Sequence, residues 1–277
     1  MSLFDTLSSA TPAQVKEFLE PLASWRAGYT PIATWTSVFT ASFTYLALVL
    51  GGQAVMNRLP AVPASVTKWP SVVHNVALSF GSLVLLVLML EEVLQLSQVT
   101  GPFGAICSQY MYSARMEQLY IVNYYFKFWE FLDTFFLVIK KKPLMFLHVY
   151  HHMATAVLCF IEIQYQTPMS WVVITLNLAV HVVMYAYYAL TTLRIPCPWK
   201  RYITVFQIVQ FVIDVFICCF ATYNHYIYVN WPWLPHVGDC EGKPMGAWSG
   251  IGILMSYLVL FLLFYRNTYT KSKAKTA

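Results

Sequence analysis

Phe146-Leu147-His148-Val149-Tyr150-His151-His152 lies inside a strongly apolar region, with Pro143 to Leu147 leading in and Met153 to Ile163 following. The histidine spacing, i, i+3 and i+4, puts all three imidazoles on one face of a helix. The flanks are hydrophobic enough to lie in a membrane. Full charges at membrane depth cost roughly 2.5–3.5 kcal/mol each on insertion scales, so titratable groups there point to function. Imidazole is the cheapest of them to bury, because it can sit there neutral. Three on one face is not the scatter of a helix end that merely tolerates histidine.

The rest of the chain agrees. Of 277 residues, 58% are hydrophobic, 17% aromatic and 10% charged, whereas a soluble globular chain carries about 25% charged residues. This is the composition of a polytopic membrane protein with one hydrophobic body. The net charge of +5 does not mark a nucleic-acid binder, because the basic residues sit in loops where they set topology. Met1–Thr30 is polar and mixed in charge, with no cleavable signal peptide. The six cysteines form neither C-x-x-C pairs nor zinc spacing, and no internal repeat or glycine-rich phosphate loop is present.

Apolar runs of spanning length lie at about 31–52, 71–96, 119–139, 144–163, 170–193, 202–225 and 247–265, predicting seven transmembrane helices. Lys140–Lys142, Arg194, Lys200, Arg201 and the basic tail all fall on one side, as do Arg58 and Lys68. The positive-inside rule makes that side cytosolic. Residues 1–30 are then a luminal segment, 31–265 a seven-span domain, and 266–277 a basic cytosolic tail. Cys107 and Cys240 both fall on the luminal side, where oxidation is permitted, and a disulfide between them is expected. Lys273 and Lys275, at −5 and −3 from the C-terminus, fit the K-x-K-x-x pattern of retrieval to the endoplasmic reticulum.

Four further polar clusters lie inside spans. Lys127, Glu130, Asp133 and Thr134 occupy the third, spaced so that the three charges share a face and can pair. Asn177, His181, Tyr185 and Tyr188 follow helical spacing in the fifth, and Thr204, Gln207, Gln210 and Asp214 in the sixth. His74 and Asn75 begin the second. At about 1.5 Å per residue, His151 and Gln210 lie about 14 Å in from the basic loops and Lys127, Glu130 and His181 about 15–20 Å. Spans three to six thus bring polar residues to one layer, which describes a buried pocket open towards the cytosol. His225 and His236 fall on the other side and are excluded. Interhelical hydrogen bonding alone would explain Thr204, Gln207 or Asn177 singly, but not the charged triplet, since an apolar face would be more stable.

Together, K-x-x-E-x-x-D-T at Lys127–Thr134, H-x-x-H-H at His148–His152, N-x-x-x-H-x-x-M-Y-x-Y-Y at Asn177–Tyr188 and T-x-x-Q-x-x-Q at Thr204–Gln210 resemble the four signatures of ELO-type fatty acid elongases. All four stand in the family's order. The L-H-V-Y-H-H form, the F-Q-I-V-Q-F-V-I-D stretch and the P-H-V-G-D-C loop are most similar to the fungal branch. The resemblance implies an all-α integral membrane protein of seven helices, six forming a barrel around a narrow acyl tunnel and the first lying outside. It implies an acyltransferase of the endoplasmic reticulum that condenses long-chain acyl-CoA with malonyl-CoA, releasing carbon dioxide and CoA. The product is a 3-oxoacyl-CoA two carbons longer. No cofactor or metal is implied, and the membrane partners would be a ketoreductase, a dehydratase and an enoyl reductase.

A mechanism follows from the residue types. An acyl enzyme must stay energy-rich, as an acyl-imidazole does and a lysine amide does not. His151 is the nucleophile the family implies, with His181 facing it from span five. His148 and His152 would orient or deprotonate it, and Lys127, Glu130 and Asp133 would hold the rings. Asn177, Gln207 or a tyrosine hydroxyl (Tyr185 or Tyr188) would stabilise the malonyl-derived enolate, with Gln210 in the same layer. A di-iron desaturase or hydroxylase shares the H-x-x-H-H box but needs roughly eight histidines, more than this layer holds. A non-catalytic lipid transporter would use the polar layer for permeation, and a thiol mechanism would use Cys159. The methyl end of a bound chain would point to the lumen, with Ala221–Tyr228 and the start of span seven near Trp248 as the expected stop.

Overall fold

A computed structural model describes residues 2–270, so Lys273 and Lys275 lie outside the described residues. Within them the secondary structure is helical, without strands: α1 Leu3–Ala10, α2 Ala13–Leu19, α3 Trp35–Arg58, α4 Ala64–Cys107, α5 Ala114–Trp129, α6 Phe131–Ile139, α7 Phe146–Tyr165, α8 Ser170–Thr192, α9 Lys200–Asn230 and α10 Pro244–Tyr265. Six of these, α3, α4 and α7–α10, are long and apolar enough to cross a membrane.

Each boundary has a local cause. Thr34 caps α3, its hydroxyl accepting from the Ser37 amide while Ser37 reciprocates, a closed capping box. Helix α4 kinks where Gly101 takes φ +69° ahead of Pro102, a conformation glycine adopts without steric cost. Gln166 ends α7 in the left-handed region, and Arg194 does the same after α8, before Pro196 and Pro198 forbid further helix. The expected third span behaves differently. It divides at Glu130 into helices of 16 and 9 residues, neither long enough to cross alone.

Helix contacts run α4–α8–α9–α10–α7–α5 and back to α4, closing a ring of six. Helix α3 stands outside it, against α6 and α7. There the Tyr45 ring stacks on Phe131 at 4.1 Å and its hydroxyl meets Thr134 Oγ1 at 2.7 Å. Large apolar side chains such as Phe43, Leu48, Phe80 and Phe216 face outward, as a lipid-covered surface requires.

One end of the ring carries Lys140–Lys142 and Lys200; the other is tied shut. Cys107 at the end of α4 is disulfide-bonded to Cys240 in the α9–α10 loop, and the Glu241 amide donates to the Cys107 carbonyl at 2.8 Å. Residues 2–30 fold back on this end rather than trailing from it. The Leu3 amide donates to Glu91 at 2.8 Å, Arg115 pairs with Asp5 at 2.5 Å, and Trp25 Nε1 donates to Gln164 at 3.1 Å.

Candidate active site

Two cavities run through the ring and meet at one neck. The cavity near the basic end has a volume of about 210 Å³ and is walled by α6–α10, with His148, His152, His181, Tyr185, Tyr188 and Gln207 among its lining. The second, narrow and largely apolar with about 50 Å³ of free space, runs towards the disulfide end between α5 and α7–α10. His151, Asn177, Gln210 and Phe211 line both, so they are the neck.

The charged triplet does not act as one cluster. Lys127 Nζ donates to Glu130 Oε1 at 2.8 Å and to Asn177 Oδ1 at 2.9 Å, and both ions are only 2% exposed. His181 Nδ1 lies 3.2 Å from the same carboxylate oxygen, close enough for attraction but off the line of a good hydrogen bond. Asn177 Nδ2 in turn sits 3.4 Å from His181 Nε2. Asp133 turns elsewhere. It accepts from Tyr185 Oη at 2.6 Å and lies 2.8 Å from His74 Nε2, with His152 Nε2 at 3.9 Å. The expected pairing of all three charges fails for a geometric reason. Six residues rotate a helix about 120° off face, and the break at Glu130 leaves Asp133 on a separate segment.

The histidine face forms as the spacing implied, but its members do not bond to one another. The His148 ring packs edge-on to His152 at 4.5 Å, and His152 to His151 at 5.7 Å. His151 instead sits in an aromatic box made by Tyr257 at 4.7 Å, Phe261 at 6.1 Å and Phe211 at 6.4 Å. Among the described residues its ring makes no side-chain hydrogen bond, and its Nδ1 is buried without a partner. The expectation that His148 or His152 deprotonates it is therefore not met by a direct contact in this arrangement.

Two residues of the site, Tyr257 and Glu162, escaped the sequence reading, and a third was named without a role. His74, named from its place at the start of the second span, reaches Asp133 from α4. Tyr257 comes from α10, which carries no signature, and donates to the His151 carbonyl at 3.2 Å and meets Thr155 at 3.0 Å. Glu162 lines the apolar cavity, and a lone acid near a helix end gave no hint of that. Of the candidates, Gln207 lines the polar cavity with its amide on Met184 Sδ at 3.5 Å, and Gln210 donates to Asp214 at 3.0 Å. The expected stop is met in part: the start of α10 supplies Gly250 to the deep lining, beside Glu162, Met169, Ser170 and Cys218, whereas the 221–228 stretch of α9 is not among that lining and its Tyr223 and Tyr228 are exposed.

A polar chamber joined through a histidine neck to an apolar tunnel suits a long-chain lipid with a polar head. Comparison with known proteins places it. The ELO family model, the GNS1/SUR4 family, matches residues 30–277. The chain belongs to that family. It is 44% identical over 249 residues to "Putative fatty acid elongase 1" of Schizosaccharomyces pombe, covering 90% of this chain and 73% of the relative. Identity to "Putative fatty acid elongase 2" of the same organism is 41%, over 83% of this chain and 62% of the relative's length. "Fatty acid elongase A" of Dictyostelium discoideum is 30% identical over 90% and 89%. The protein is thus an ELO-type elongase of the fungal branch, multi-pass in the membrane, and all four of its signature segments converge on the neck.

Proposed function

We propose that the elongase condenses long-chain acyl-CoA with malonyl-CoA to give a 3-oxoacyl-CoA, carbon dioxide and CoA, through an acyl-imidazole on His151. The observation that carries this reading is the position of His151 at the neck, between a chamber for the head group and a tunnel for the chain. A free ring nitrogen attacks the thioester carbonyl, the C–S bond breaks, and CoA departs with a proton while the acyl group stays on the ring. Malonyl-CoA then enters and loses carbon dioxide. The enolate carbon attacks the acyl carbonyl, and the C–N bond breaks as imidazole leaves, regaining from solvent the proton that departed with CoA.

Asn177 is the enolate donor we assign. Its Oδ1 accepts from Lys127 and its Nδ2 lies 3.4 Å from His181 Nε2, which fixes the amide at the neck and leaves the second N–H of Nδ2 as the donor. A donor held in advance costs no reorganisation during reaction. Lys127, Glu130 and His181 hold Asn177, and Asp133 with His74 and Tyr185 steadies the chamber wall beside His152. No resident cofactor enters this scheme. Within the histidine layer His181 lies beside Glu130 and Asn177 and His152 near Asp133, whereas the His151 ring has no side-chain hydrogen bond among the described residues, which leaves it available for acylation in this scheme. Cys159, eight residues beyond His151, lies roughly 12 Å deeper in the tunnel, behind the neck rather than at it. The basic loops support a cytosolic chamber and a luminal disulfide, with α5–α6 as the seventh crossing between them; residence in the endoplasmic reticulum, beside the reductases and dehydratase of the cycle, is part of the same proposal.

The test is a half-reaction. Purified protein given acyl-CoA alone should release CoA and gain one acyl mass that hydroxylamine removes. His151→Ala should abolish the adduct and Cys159→Ala should keep it. No CoA release without malonyl-CoA would overturn the acyl-enzyme and leave direct condensation in a ternary complex.

A further inference from the structure

The apolar tunnel does not end in apolar side chains. Tyr120 and Asn123, 1% and 2% exposed, line it from α5, and neither the Tyr120 hydroxyl nor the Asn123 Oδ1 has a hydrogen-bond partner. Glu162 lines its far end from α7. Ser170 Oγ donates to Glu162 Oε2 at 2.6 Å, while Oε1 faces Gly250, where an added Cβ would stand 3.6 Å away. Nearby Thr167 Oγ1 is also buried and unpartnered.

Buried polar atoms without partners are costly, on the order of 1–3 kcal/mol each, and rare enough to ask what they bind. A methyl end brought against them would add to that cost, since it displaces water and offers nothing in return. A hydroxyl would remove it, because it donates to the Glu162 carboxyl or the Asn123 carbonyl and accepts from the Tyr120 hydroxyl. No catalytic step uses these groups.

We propose that the far end of the tunnel is a recognition site for a hydroxyl group near the methyl end of the acyl chain, so that the elongase accepts hydroxylated acyl-CoAs as a distinct substrate class. This rests on the condensation reading above. Glu162 stands eleven residues past His151 on one helix, about 16 Å along the axis. An extended chain of 1.5 Å bonds advances about 1.25 Å per carbon, so about 13 carbons bridge the two. The favoured substrate therefore carries its hydroxyl at the end of a chain of about 14 carbons.

The experiment uses the purified full chain in detergent with malonyl-CoA. Terminally hydroxylated acyl-CoAs of roughly 10 to 18 carbons are each compared with the unsubstituted acyl-CoA of equal length. The kcat/KM ratio, hydroxylated over plain, should peak above one near 14 carbons, by about fivefold for one neutral hydrogen bond. Tyr120→Phe, which removes a single oxygen, and Glu162→Leu should each lower that peak within their own ratio. A ratio that is flat with length, or a peak that survives both substitutions, overturns the site. The same pairs are titrated against His151→Ala, which reads the tunnel without turnover. A binding peak there, with no condensation by the unaltered protein, would sink the condensation reading while keeping the hydroxyl site. Condensation of plain chains with no peak in either assay would do the reverse.

Discussion

Removing the Lys127 ammonium should expose how the site is held together. Lys127 and Glu130 are each 2% exposed and 2.8 Å apart, so Lys127→Met leaves a carboxylate buried with only His181 beside it. Breaking a buried pair by removing one partner costs about 3–5 kcal/mol. At about 2–4 °C per kcal/mol for a chain of this size, the midpoint of unfolding should fall by roughly 6–20 °C. The double change Lys127→Met with Glu130→Gln removes both charges and keeps an amide facing His181. Its midpoint should return to within a few degrees of the unaltered protein, because a buried pair contributes little net stability. Condensation should stay low in the double variant, since Asn177 loses the ammonium that fixes its amide. Thermal unfolding of detergent-purified protein, followed by tryptophan fluorescence, measures the midpoints, and product mass measures activity. If the double variant is as unstable as Lys127→Met, the two charges are not coupled as described and the network has been misread.

Asp133→Asn should cut condensation roughly 100-fold, as small displacements of positioned groups do. One of the two donors at 2.6 and 2.8 Å, Tyr185 or His74, would then meet an amide N–H; unchanged kcat/KM in a well-folded sample would deny Asp133 that role. Cys240→Ser opens a link between residues 133 apart in sequence and should cost roughly 2–5 kcal/mol. Peptide mapping without reductant should find Cys107 joined to Cys240, and a free Cys107 would refute the disulfide. Lys273→Ser with Lys275→Ser should release the protein from the endoplasmic reticulum; complete retention by fluorescence microscopy would remove the tail from the retrieval reading.

Read alone, the sequence determined the class and named most residues of the candidate site. Apolar runs of spanning length and basic loops are properties of composition, and lipid enforces helices wherever such runs occur. The helical spacing of His148, His151 and His152, and of Asn177, His181 and Tyr185, needed no tertiary information, because side chains three and four apart share a face in any α-helix. Common depth then brought Gln207 and Gln210 to the same layer. What tertiary structure decided were the partnerships. Asp133 serves His74 and Tyr185 rather than Lys127 because the chain breaks at Glu130, and a one-residue break inside an apolar run leaves no mark on hydropathy. Tyr257 stands over His151 only because α10 closes the ring against α7. Glu162 reads in sequence as one acid near a helix end; its place in the tunnel depends on α5, α8, α9 and α10 packing around it. Spacing within one helix is local geometry, whereas the pairing of faces between helices is settled by packing across the ring.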